Sequence, residues 1–121
     1  MKQNMDTLLK DYIENAIIQG EATLDGDYKK CNKAAKKLIN IYKVMEHNDK
    51  LAVQMLEILL KDEHINVKIC ASAHALGLNV NINLAISTLE QISTKPELGI
   101  LGFNAEMSLK TYYKQGYLKF Y

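Results

Sequence analysis

Apolar residues recur along this chain at intervals of three and four, and strand-like alternation is confined to one short stretch. Met5, Leu8, Leu9, Tyr12, Ile13, Ala16 and Ile17 follow the i, i+3, i+4, i+7 spacing of an amphipathic helix, with Gly20 placed to end it. Beyond the turn of Leu24, Asp25, Gly26 and Asp27, a second helix is predicted to bury Tyr28, Cys31, Ala34, Ala35, Leu38, Tyr42 and Met45. His47, Asn48 and Asp49 break that run and offer an N-cap for a third helix. The third turns Leu51, Ala52, Met55, Leu56, Leu59 and Leu60 toward the core. A turn over residues 63–66 leads into a fourth, Ala-rich helix, and Gly77 suits the left-handed position after its end.

Over residues 78–83, Val80 and Ile82 alternate with Asn79, Asn81 and Asn83. Alternation hints at a strand, but three Asn favour a turn leading into a helix cap. Leu84, Ile86, Leu89 and Ile92 mark a fifth helix, which residues 93–96 interrupt. The last helix begins between Pro96 and Asn104 and runs to about Gln115, with Gly116 as its stop. Gly99 and Gly102 are costly inside a helix, which places them in the turn before it or at a close helix crossing. Six helices thus fall into three hairpins beginning near Met5, Asp49 and Asn81. No linker or low-complexity tract divides them, so residues 1–121 form one domain. Each hairpin alone would leave an apolar face wet, so the pattern predicts a stacked array, with a compact bundle as the alternative.

Charge narrows the partners. The formal net charge is +1, which gives no global pull toward nucleic acid or a membrane surface. All fifteen basic residues are Lys. Arg supplies bidentate phosphate and guanine contacts, so its absence counts against specific nucleic-acid recognition. Abundant Asn and Ile also fit a bias toward AT-rich codons. Cys31 and Cys70 form no CxxC and no framework, which reads as reduced, buried thiols in a cytoplasmic protein. Met1, Lys2, Gln3, Asn4, Met5 and Asp6 contain no apolar leader core, and no apolar run approaches the length of a membrane span.

The second helix carries the clearest candidate surface. Lys29, Lys33, Lys36, Asn40 and Lys43 lie opposite its apolar stripe, with Lys30 and Lys37 on the flank. No acidic residue occurs between Tyr28 and Met45, so nothing on that helix neutralises the strip. It reads as a solvated face or as a docking strip for an acidic partner, either a protein or, as the alternative function, a phosphate backbone bound weakly and without sequence preference. The other concentration is aromatic: Tyr112, Tyr113, Tyr117, Phe120 and Tyr121 near the C-terminus, interleaved with Lys114 and Lys119. Tyr112 and Tyr117 are candidate anchors for a protein contact, since Tyr is enriched at interfaces. Capping of the core by Tyr113 and Tyr117, or base stacking, are the other readings.

Chemistry is harder to find. Cys70 and His74 are four apart on one helical face with His64 nearby, but no further ligand completes a zinc set. As a nucleophile and base the same pair lacks anything to lower the thiol pKa. Asp62, Glu63 and His64, and Glu46 with His47, read as polar turn residues. No phosphate loop, GxSxG or dinucleotide fingerprint occurs. The expectation is a non-catalytic protein without metal or cofactor.

Val67, Lys68, Ile69, Cys70, Ala71, Ser72, Ala73, His74, Ala75 and Leu76 follow the order of the second helix of a HEAT repeat. Together with Leu98, Gly99, Ile100, Leu101, Gly102, Phe103, Asn104, Ala105, Glu106, Met107, Ser108 and Leu109, they resemble small HEAT-like bacterial domains of unknown function. The resemblance implies an all-α, short right-handed HEAT-like stack of three hairpins over most of the chain. It also implies a protein partner, since some similar proteins are thought to act as immunity partners of polymorphic toxins. It brings no catalytic residues.

Overall fold

In the computed structural model, which describes residues 4–121, six α-helices take up most of the chain. They are α1 (Met5–Asp25), α2 (Tyr28–Glu46), α3 (Asp49–Leu59), α4 (Ile65–Leu78), α5 (Ile82–Ser93) and α6 (Ile100–Gln115). A single 3₁₀ turn, Pro96–Leu98, precedes α6, and no strand occurs among the described residues. Met1, Lys2 and Gln3, half of the segment read above for a leader, lie outside the described residues. No described helix is long and apolar enough to cross a membrane.

Polar side chains set most of the helix starts by satisfying amide donors that have no partner within the helix. Asn4 accepts from the Asp6 amide at 2.7 Å, Asp27 from Lys30 at 3.1 Å, and Asn48 from Leu51 at 3.1 Å. His64 does the same for α4: its Nδ1 accepts from the Asn66 amide at 3.3 Å, while Asp62 Oδ1 accepts from its own N–H at 2.9 Å. Between α4 and α5 the chain turns as its three Asn predict. Asn79 and Asn81 both take left-handed backbone, with φ of 58° and 48°, a region Asn tolerates better than most residues.

Two glycines read as helix stops are instead places where helices touch. Gly20 lies buried inside α1, which continues to Asp25 and closes on Gly26 at φ 75°. A Cβ at Gly20 would lie 2.7 Å from Cβ of Asn66, so its bare backbone is what lets α4 cross α1 there. Gly77 likewise belongs to α4, whose cap is Asn79. A Cβ at Gly77 would meet Phe120 at 2.6 Å and the Tyr42 hydroxyl at 2.7 Å. Gly102 fits the close-crossing expectation: it is buried in α6, with the Lys95 carbonyl 3.4 Å from where a Cβ would stand. Gly116 ends α6 as expected.

The centre of the molecule is α4. Nine of its fourteen residues are buried, including the unbroken run Ala71, Ser72, Ala73, His74, Ala75 and Leu76. Small side chains on most faces let α1, α3, α5 and α6 all approach it. The most extensive packings are α1 along α2 and α5 against α4 and α6. Tyr12, Met45, Met55, Leu56, Leu59, Val67, Leu76 and Leu89 fill the core between them. Three residues expected in the core of α2 lie outside it: Cys31 and Ala35 are half-buried, and Tyr28 opens α2 and is 71% exposed. Its aromatic ring sits at the helix start, beyond the stretch where Ala34, Leu38, Ile41, Tyr42 and Met45 are buried.

Candidate functional site

Helix periodicity places the α2 lysines as the sequence predicts. Burial of Ala34, Leu38, Ile41, Tyr42 and Met45 turns Lys29, Lys33, Lys36, Asn40 and Lys43 to solvent, and all five are exposed. At 1.5 Å per residue the row from Lys29 to Lys43 extends roughly 21 Å. Among the described residues the ion pair within 4.0 Å is Lys110 with Glu106, on α6, so the strip lysines have no counter-ion at that distance. Their charge is not wholly unopposed. A groove of about 410 Å³ between α1 and α2 brings Asp11 and Glu14 to the side of the strip where Lys37 and Asn40 lie. Counting acids along α2 alone misses these two, because they arrive from α1 by packing.

The aromatic C-terminus divides differently from expectation. Tyr112 is half-buried and packs against the core, with its ring 6.2 Å from that of Tyr113. Tyr113 and Tyr117 are 60% and 55% exposed. The capping role falls to Tyr112, Leu118 and Phe120, and Tyr117 stays free in the solvent. Beyond Gly116 the chain returns over α2 and α4. The Phe120 ring stands 4.8 Å from His74 and 5.1 Å from Tyr42, edge-on or tilted, a favourable arrangement for aromatic quadrupoles.

Tyr121 joins this end to the lysine strip. Lys43 Nζ lies 4.5 Å over its ring, within cation–π range. The Tyr121 hydroxyl donates to the Glu46 carboxylate, which holds the phenol above its ordinary pKa. Tyr42 beneath it is raised first by burial and then by Glu46. The sequence points to Tyr112 and Tyr117 and not to Tyr121 as anchors, because nothing local to residues 116–121 shows that the tail folds back on α2.

All three histidines hold structural positions. His64 caps α4, and His47 Nδ1 is 2.8 Å from the Lys43 carbonyl at the end of α2. His74 is 5% exposed, with its Nδ1 2.6 Å from the hydroxyl of fully buried Tyr12. Burial lowers the His74 pKa to about 3, so the imidazole is neutral at ordinary pH. Cys70 donates to Gln19 Oε1 at 3.1 Å, and burial, then Cys31, pushes its thiol up to about 12. A thiol held protonated beside a neutral imidazole is poorly suited to nucleophilic attack. Among the described residues no group of three or more His, Cys, Asp or Glu is placed to hold a metal.

Compared with protein-family models, curated proteins and solved structures, the chain matches none. The likeness to small HEAT-like domains therefore rests on residues 67–76 and 98–109 alone.

Proposed function

We propose that this chain is a non-catalytic protein-binding module whose lysine face on α2 docks an acidic surface of a partner. The observation that carries this reading is the row Lys29, Lys33, Lys36 and Lys43: exposed, aligned over roughly 21 Å, and without a counter-ion within 4.0 Å among the described residues. Charge complementarity over such a row steers encounter and fixes register, and Tyr121 beside Lys43 adds an aromatic contact of the kind interfaces favour. In its most specific form the partner is a toxin domain and this chain its immunity-type inhibitor.

The HEAT-like stack belongs to the same proposal. Its support is the hairpin packing of α1 with α2 and of α5 with α6. A regular stack would also pair α3 with α4 most closely, whereas the fullest contact of α4 is with α5. That feature favours the compact bundle.

Affinity capture of the tagged chain from nuclease-treated extract of its own host tests the reading. A stoichiometric protein retained at about 0.15 M salt, where the Debye length is about 8 Å, supports it. Recovery of nucleic acid alone from untreated extract contradicts it. The unpaired lysines also suit a phosphate backbone, and this second reading makes a different prediction. Four to six neutralised phosphates would weaken binding to a duplex oligonucleotide roughly 10²- to 10³-fold between about 50 and 200 mM salt. A flat salt profile removes it.

A further inference from the structure

Between α1, α2, α4 and the returning C-terminal segment lies a cavity of about 370 Å³, on a different part of the molecule from the α1–α2 groove beside the lysine strip. We infer that it is a binding site for a small uncharged molecule with an apolar body and an amide-type head, a carbonyl beside an N–H. The volume lies within the roughly 300–1,000 Å³ typical of small-molecule sites.

Its lining sets the chemistry. Leu38 and Ile39 from α2, Ile69 from α4 and the Phe120 ring make most of the wall apolar. Among the described residues no Lys, Asp or Glu lines it, although charged residues make up 24% of the chain. A charged ligand would lose its hydration there with no opposite charge to replace it, so an uncharged one is selected.

Two buried side chains supply the polar contacts. His74 and Asn66 are each 5% exposed, and both belong to the lining. Nδ1 of His74 is engaged by Tyr12, which is not part of the lining. An imidazole nitrogen is the better acceptor and a phenol the better donor, so Tyr12 O–H donates to Nδ1 and the ring proton sits on Nε2. Nε2–H has no partner among the described residues and is the donor His74 offers to the cavity. Asn66 gives its Nδ2 to the Ala16 carbonyl at 2.7 Å, which fixes the amide and leaves Oδ1 as an acceptor. Gln19, Thr23, Cys31, Cys70 and Asn104 also line the cavity, but Thr23 is bonded to the Gln19 carbonyl, Cys70 to Gln19 Oε1, and Asn104 lies at the exposed rim, so the buried donor of His74 and the buried acceptor of Asn66 are the pair that matches a carbonyl and an N–H on one ligand. Phe120, 4.8 Å from His74, closes the site from the tail.

The test titrates the full chain with benzamide, followed by NMR of the His74 ring and the Asn66 side-chain amide. Saturable shifts at both, with a Kd on the order of 1 mM for so small a ligand, are expected. Benzoate, which is charged, and toluene, which has no amide, should bind at least about tenfold more weakly, the equivalent of one hydrogen bond. His74→Phe removes the donor and should weaken benzamide by about the same factor. Should that variant not fold, Ala35→Phe, placed in the half-buried part of the wall on α2, fills the site instead and should abolish binding. No saturable benzamide shift, equal affinity for benzoate or toluene, or an unchanged Kd in Ala35→Phe would each overturn the assignment.

Discussion

At the scale of single residues, the most consequential group is His74. Its ring is neutral, its Nδ1 is held by Tyr12, and its pKa is about 3 where an exposed histidine has 6.5. Below pH 6.5 the unfolded chain takes up a proton that the folded chain refuses. The His74 contribution is therefore intact above pH 6.5 and is lost as the pH falls toward 3, by up to about 1.4 kcal/mol per pH unit. Urea unfolding at pH 7, 6, 5 and 4 should show this loss. His74→Gln, which keeps an acceptor for Tyr12 without a titrating proton, should flatten the profile relative to the native chain; parallel profiles would show that another group is responsible. His74→Ala should cost about 2–4 kcal/mol at pH 7, from the cavity and from the unpaired Tyr12 hydroxyl.

At the scale of elements, apolar periodicity located all six helices, because each has one face that must leave water. The capping residue Asn48 and the stop at Gly116 were legible for the same local reason, whereas Asp27, read as part of a turn, proved to be the cap of α2. Gly20 and Gly77 were not. A glycine that ends a helix and a glycine that admits a neighbour look alike in sequence, and only the arrival of Asn66 and Phe120 separates them. Gly20→Ala should force α1 and α4 apart, strain the Asn66 bond to the Ala16 carbonyl, and destabilise the fold by about 1–3 kcal/mol in thermal or urea unfolding. Gly77→Ala crowds the buried Tyr42 hydroxyl and the Phe120 ring, and of the two it is Phe120, in the tail, that can swing away. The expected result is a released tail: amides of residues 116–121 exchange faster with solvent while those of α4 keep their protection. Slow exchange throughout would mean that Phe120 repacks around the added methyl group.

For the whole molecule, the all-helical class and the exposed lysine row could be read from the chain, since both depend on spacing within single helices. The arrangement around α4 could not, because it is decided by which helices meet. The same limit hid Asp11 and Glu14 beside the strip and Tyr121 over Lys43. These neighbours refine the proposed docking face: Asp11 and Glu14 flank one side of it, and the row ending at Lys43 and Tyr121 is the part the proposal assigns to a partner. Lys33→Glu, Lys36→Glu and Lys43→Glu together reverse that row without touching a buried residue. The most direct measurement is the Kd of this triple variant and of the native chain for the protein captured from the host, with circular dichroism and melting temperature recorded for both. Helicity and melting temperature should be unchanged within error while the Kd rises roughly 10- to 100-fold; an unchanged Kd in the folded variant would contradict the docking role of the α2 lysine face.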